Sequence, residues 1–313
     1  MSAKPLSIPS GVENAAVEVD GRRVALTNLN KLFWPELQLA KRHLLQYYAE
    51  VAPVLLPHTR NRAMVMKRYP NGAGGDFFFM KRTPSPRPEW LRTCRIEHRS
   101  GNVIDFPMVD DVASLLWIIN LGCIDLNQWY ATCDDINRPD YVHFDLDPGN
   151  APFENVREAA LLVRDGLAGF GMKSYAKTSG SKGIHVYVPI VRGPLQKEVW
   201  TFAKSFAQAM AKHEPKLVTA EYKKEKRPPG RVLVDYNQNR WGSTLASVYS
   251  VRPTPRATVS APVTWNEIED GVEIDDFHMR NMQQRLKAVG DLWAPLAAKS
   301  GRFDLRPLLG AVS

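Results

Sequence analysis

A chain of 313 residues, 44% of them apolar and 24% charged, can build one large globular unit or two closely packed lobes, which excludes a disordered or fibrous protein. Its formal charge of +8 favours a polyanionic partner, although charge says little until its position is known. Three cysteines, Cys94, Cys123 and Cys133, with no Cys-x-x-Cys spacing, argue against a disulfide framework and a zinc site and for a reducing, cytoplasmic setting. No apolar run reaches the roughly 20 residues that span a bilayer, and the first residues lack the apolar stretch of a signal peptide, so no membrane partner is expected.

In chain order, residues 1–18 carry Pro5, Pro9 and Gly11 among small polar residues and read as a loose arm. Residues 41–56 show apolar side chains at helical spacing, with a stop expected near Pro57. Residues 64–81 read as strand, Gly-rich turn and strand. The triplet Phe77, Phe78 and Phe79 cannot place all its rings in the core, so at least one is available to stack on a base. A helix is expected over 113–121, a strand over 141–146, a helix over 153–170 closing at Gly171, and two strands over 174–177 and 184–190. A helix over 195–212, a strand over 231–236 and a polar helical tail over 264–292 follow. The order implies an α+β fold with a mixed, largely antiparallel central sheet flanked by helices. Three parts are expected: an N-terminal lobe at about 19–130, a catalytic sheet at about 131–260 and a helical tail at about 261–300. Residues 301–313 are expected to form a C-terminal tail.

The residues that carry chemistry begin at Asp145 and Asp147. In a strand, residues two apart face the same side about 6.6 Å from one another, so these carboxylates project together while Val142, Phe144 and Leu146 face the core. Oxygen donors so paired suit Mg²⁺ or Mn²⁺, and two such ions can serve an in-line phosphoryl displacement. The same Asp-x-Asp-Pro-Gly text is also good turn chemistry. Asp235, at the end of the apolar run Val232-Leu233-Val234, is a candidate third carboxylate or a turn cap. His143 shares the face of Asp145 and is either a supporting group or a neutral imidazole.

The turn Ser179-Gly180-Ser181-Lys182-Gly183 joins two strands. Its glycines, hydroxyls, N–H groups and ammonium suit a phosphate cradle, with His185 on the next strand as a further donor when protonated. Lys223, Lys224, Lys226, Arg227 and Arg231 cluster before Asp235, and Arg252 follows it; such cations can balance a triphosphate or lie on a solvated face.

Three ordered segments, 144–149 (Phe-Asp-Leu-Asp-Pro-Gly), 178–185 (Thr-Ser-Gly-Ser-Lys-Gly-Ile-His) and 234–239 (Val-Asp-Tyr-Asn-Gln-Asn), resemble the polymerase domain of bacterial ligase D in the archaeo-eukaryotic primase superfamily. Weaker pieces at 26–31, 67–72, 98–101 and 249–252 agree. The resemblance implies a two-lobed primase-polymerase fold and two divalent ions, Mn²⁺ or Mg²⁺, on Asp145, Asp147 and Asp235. It implies nucleotide contacts from Ser179, Ser181, Lys182, Gly183, His185, Gln238, Arg252 and Asn127. It also implies DNA contacts from Lys31, Lys41, Lys67, Arg68, Phe78, Phe79, Lys81 and Arg227, with Lys31 and Lys41 on a downstream 5′-phosphate. Where many members carry Glu-x-His near the nucleotide sugar, this chain reads Asp125-Leu126-Asn127, and its connector 131–140 is short.

The expected activity is template-directed addition of nucleotides, ribonucleotides included, at gapped or 5′-phosphorylated DNA ends. The setting is non-homologous end joining or excision-repair gap filling. With no ligase segment in these residues, a freestanding polymerase is expected, served by a separate ATP-dependent DNA ligase and by Ku. Two alternatives stand beside it: a primer-independent primase, and a catalytically silent module that binds DNA ends and recruits a ligase.

Overall fold

The structure is a computed structural model that describes residues 6–98 and 100–310. Parts of the N-terminal arm, the C-terminal tail and the 98–101 segment thus lie outside the described residues. The chain forms two compact units, and neither is continuous. The first comprises Met1–Trp129, Ala246–Val259 and His278–Gly290, and the second Tyr130–Leu245, Ser260–Phe277 and Asp291–Ser313. The sequential division expected from the sequence is therefore replaced by an interleaved one. Long-range hydrogen bonds explain the return of residues 246–259 to the first unit: Tyr47 donates to the Tyr249 carbonyl at 2.8 Å, the Val251 N–H to the Tyr48 hydroxyl at 3.0 Å, and the Ser247 N–H to the Leu126 carbonyl at 2.7 Å.

In the first unit, the supposed arm already contains a strand, Ala15–Val19, paired antiparallel with Arg22–Leu26. Val17 and Val19 point inward and Ala16 and Glu18 outward, the period of two that the Pro/Gly-rich start of the chain obscures. The helix Lys41–Thr59 buries Leu44, Leu45, Tyr48, Val51, Ala52 and Leu55 along one stripe. It continues past Pro53 and Pro57, beyond the stop expected there. Pro57 lies in the last turn, where the lost N–H removes one bond, and the Arg60 N–H still closes on Leu56 at 3.0 Å. A four-stranded sheet runs in the order Leu245–Ala246, Cys123–Gln128, Met64–Arg68, Phe78–Met80.

The second unit is built on a six-stranded sheet in the order Val218–Thr219, Val232–Asp235, Tyr141–Asp147, Ile184–Pro189, Tyr175–Thr178, Pro262–Val263. Only the first pair is parallel. The central strand buries Val142, Phe144 and Leu146 completely, each burial stabilising the fold by about 2 kcal/mol. Its Phe144 ring meets Phe206 of the helix Gln196–His213 at 4.8 Å, so this face is the helix-covered one. Tyr141, His143, Asp145 and Asp147 necessarily take the other face. Asn239 locks the strand edge by accepting from the His143 N–H at 3.1 Å and donating to the His143 carbonyl at 2.7 Å.

The expected tail is broken up. Pro262–Val263 joins the sheet, and Trp265–Glu269 and Met282–Val289 are short helices assigned to different units. Cys123 is a free, buried thiol, but Cys94 and Cys133 each carry a disulfide, which corrects the all-thiol expectation, because neither an odd count nor the lack of Cys-x-x-Cys spacing limits which cysteines oxidise. No helix among the described residues is long and apolar enough to cross a membrane.

Candidate active site

Antiparallel register places four side chains in one row across the sheet of the second unit. Asp145 sits opposite Asp235 on one side and opposite His185 on the other, and His185 sits opposite Lys177. Cross-strand partners share a face. The row therefore reads Asp235, Asp145, His185, Lys177, with Asp147 one step along the central strand from Asp145.

Each carboxylate has its own partner. Asp145 Oδ1 lies 3.3 Å from His185 Nε2. Asp147 accepts the Gly149 N–H at 3.0 Å, the turn that Asp-x-Asp-Pro-Gly text predicts, and its other oxygen lies 3.9 Å from Arg227. Asp235 accepts the Asn237 N–H at 2.7 Å and the Gln238 amide at 3.2 Å.

Burial works to raise the Asp145 carboxyl, but His185, which faces and hydrogen-bonds it, and Lys177 more than offset this and hold it below its usual value. Asp235 goes the other way: burial, then the negative charges of Asp145 and Asp147, push it up to about 6. Two neighbours in one row are thus driven apart.

Among the described residues, no three His, Cys, Asp or Glu side chains already enclose a single point as a metal cage would. The local hydrogen bonds above turn the carboxylates toward protein donors. The donor chemistry nevertheless fits hard divalent cations, since all three groups offer oxygen, and the negative field that raises Asp235 is one a cation would relieve.

The turn after Thr178 is held from inside. Ser179 Oγ accepts the N–H groups of Ser181, Lys182 and Gly183 at 3.1, 3.1 and 2.9 Å, so these are not turned outward as the expected phosphate cradle requires. Ser181 and Lys182 remain exposed as the groups the turn presents. Gly183 has a packing reason of its own: a Cβ there would stand 2.2 Å from the Leu146 carbonyl oxygen, so glycine lets this turn lie against the central strand.

His143 is buried, stacked on Tyr187 at 5.2 Å and flanked by Tyr130 and Tyr141. Burial above all pushes it down to about 3, so it is a neutral imidazole. Sequence reasoning missed Lys177 altogether. A lysine in a short strand reads as surface, whereas this one is only 1% exposed, its Nζ 2.8 Å from His185 Nδ1 and 2.6 Å from Ser260 Oγ.

The first unit carries a different constellation. Phe77, Phe78 and Phe79 are all exposed, by 49, 43 and 59%, so none of the rings fills the core. Lys67 Nζ lies 4.0 Å from the Phe77 centroid and Arg68 lies 5.2 Å from that of Phe78; Lys81 follows, exposed. Lys31 donates to Asn71 at 3.2 Å, and Lys41, 4% exposed, to the Thr27 carbonyl at 2.7 Å. Burial first, then the charges of Lys31 and Arg68, push Lys41 down to about 8. Arg252 pairs with the buried Asp125 at 3.4 Å, and Asn127 donates to the same carboxylate at 3.2 Å.

The chain matches a family model described as the LigD primase-polymerase domain over residues 40–293. It belongs to that family. It is 35% identical to the multifunctional non-homologous end joining protein LigD of Mycolicibacterium smegmatis over 90% of this chain and 37% of that protein. To the bifunctional non-homologous end joining protein LigD of Bacillus subtilis it is 30% identical over 86% of this chain and 43% of that protein. The chain thus spans roughly two fifths of the length of these LigD relatives. Among solved structures it is similar to the polymerase domain from Mycobacterium tuberculosis ligase D in complex with DNA. That match has a TM-score of 0.83 and 32% identity, and covers 88% of this chain and 99% of that one. The α+β class with its largely antiparallel sheet agrees with this LigD structure.

Proposed function

We propose that the chain is a DNA-templated nucleotidyltransferase that adds nucleotides from nucleoside triphosphates to gapped or 5′-phosphorylated DNA ends during non-homologous end joining. The observation that carries it is the row in which Asp145 and Asp235 are direct cross-strand neighbours, with Asp147 beside them and His185 bonded to Asp145. Family membership and LigD relatives named for end joining support a polymerase role in that pathway.

Asp145, Asp147 and Asp235 would hold the divalent ions, Mn²⁺ or Mg²⁺, which when bound supply positive charge at the reacting phosphate and lower the pKa of the primer hydroxyl. The carboxylates hold charge rather than take the proton. His185 offers an N–H toward the same space. Ser181 and Lys182 contact the triphosphate from the exposed turn, and Gln238 steadies Asp235. Arg252 and Asn127, both tied to Asp125, are assigned to the nucleotide, Lys31 and Lys41 to the 5′-phosphate, and Lys67, Arg68, Phe78, Phe79 and Lys81 to the DNA. Arg227, beside Asp147, has the position of a charge balance there more than of a DNA contact. An ATP-dependent ligase and Ku are the partners this pathway calls for.

The test is extension of a primer on gapped duplex with ribonucleotides or deoxyribonucleotides in Mn²⁺ or Mg²⁺. Asp145→Ala and Asp235→Ala should each abolish product while leaving DNA binding intact. Extension retained by either variant would sink the assignment, and a wild-type chain that binds gapped DNA but incorporates nothing would favour the silent end-binding module.

A further inference from the structure

The row across the sheet ends in a group that the proposed chemistry does not use. Lys177 lies in the strand Tyr175–Thr178, is 1% exposed, and sits beneath the Tyr187 ring with its Nζ 5.8 Å from the centroid. Removing an ammonium from water costs several kcal/mol unless its hydrogens are well placed, so a lysine in this position is held by its acceptors.

Those acceptors fix the direction of the bonds. Ser260 Oγ donates its hydrogen to the Thr178 carbonyl at 2.9 Å, so toward Lys177, 2.6 Å away, it can only accept. Lys177 is then the donor on that side. Its contact with His185 Nδ1 at 2.8 Å is short enough for a charge-assisted bond, and an ammonium has hydrogens but no lone pair. Nδ1 must therefore supply the lone pair. A hydrogen on Nδ1 would stand against the ammonium at the same distance.

We propose that Lys177 is a positioning residue: its buried ammonium fixes His185 with the lone pair on Nδ1 and the proton on Nε2, so that the imidazole always presents an N–H toward Asp145. The consequence is a neutral, oriented donor 3.3 Å from Asp145 Oδ1, available to that carboxylate or to an anionic oxygen that takes its place. The histidine contact expected from the sequence thus needs no protonation of the ring. Lys177 also places a buried positive charge on the same face as the three carboxylates, at the far end of the row from Asp235. Its consequence for catalysis rests on the nucleotidyl-transfer reading; the tautomer does not.

The experiment is long-range ¹H–¹⁵N correlation on the full chain labelled with ¹⁵N-histidine, with the His185 signals identified by their loss in His185→Gln. The wild-type spectrum should show His185 protonated on Nε2 and bare on Nδ1; protonation on Nδ1 overturns the proposal. In Lys177→Met the ring should lose that single tautomer, and kcat for primer extension should fall at least about tenfold with the nucleotide KM little changed. An unchanged tautomer or an unchanged kcat in that variant also overturns it. Should Lys177→Met fail to fold, Ser260→Ala decides. It keeps the ammonium, so it should keep the Nε2 proton and more than about a tenth of the parent kcat, and a switched tautomer or a larger loss there counts against the proposal. If the wild-type chain extends no primer but shows the tautomer, and the tautomer shifts in Lys177→Met, the polymerase reading fails while the positioning of His185 stands.

Discussion

The buried row of the second unit and the exposed aromatic strip of the first hold their side chains in opposite ways. In the second, Asp235, His185 and Lys177 are nearly removed from water, and burial, then the charges of Asp145 and Asp147, push the Asp235 carboxyl up to about 6. On the strip, the three phenylalanine rings stand in solvent, with Lys67 and Arg68 over the faces of Phe77 and Phe78. Changes in the buried row should therefore be coupled and large, and changes on the exposed strip small and additive.

The largest expected effect is Asp235→Asn, which should lower primer extension about 10³-fold, the scale of a lost electrostatic contact to the reacting centre. The same variant should be more stable. A carboxyl whose pKa rises to about 6 on folding costs stability once the pH exceeds its unfolded value of about 4, and the full cost is present above 6. Asn removes the charge, so melting at pH 7.5 should show a gain of up to about 3 kcal/mol that disappears near pH 4. A melting temperature lowered equally at both pH values would mean that Asp235 is held by its hydrogen bonds and not opposed by its neighbours.

Next is Gly183→Ala. With the new Cβ 2.2 Å from a backbone oxygen, the turn must leave the strand Tyr141–Asp147, and chemical denaturation should report a loss of roughly 1–3 kcal/mol. A variant as stable as the parent would show that the turn can move without disturbing Asp145.

On the exposed strip, Phe79→Ala should leave the denaturation midpoint within about 0.5 kcal/mol of the parent and weaken binding to gapped DNA by about 1–3 kcal/mol. A large loss of stability would instead place the ring in a packed environment. The smallest effect is a pH dependence. Lys41, with its pKa pushed down to about 8, is charged below that value and neutral above it, so preference for a 5′-phosphate over a 5′-hydroxyl gap should fall a few-fold between pH 7 and 9. Lys41→Arg, charged throughout, should flatten that profile, and a wild-type preference constant to pH 9 would remove Lys41 from the phosphate contact.

Local pattern was enough for much of this. The period of two in residues 141–147 separates Val142, Phe144 and Leu146 from Asp145 and Asp147, and the helical period of residues 41–56 places the longest helix of the first unit. Both depend only on neighbours in the chain. The turn at Asp147 was likewise legible, whereas the packing of Gly183 against Leu146 and the inward N–H groups of its turn were not.

Where distant segments meet, local text was silent. Asp125 and Arg252 pair across more than a hundred residues, Tyr47 and Tyr48 draw residues 249–251 back into the first unit, and Lys177 looks like any surface lysine until Ile184–Pro189 and Ser260 close around it. The sequence by itself determined that Asp145 and Asp147 share a face and that Asp235 ends an apolar strand, because backbone geometry repeats every two residues. That Asp235 lies directly opposite Asp145, that His185 flanks it on the other side, and that a buried lysine orients that histidine were decided by tertiary structure, since register between strands is set by long-range pairing and packing.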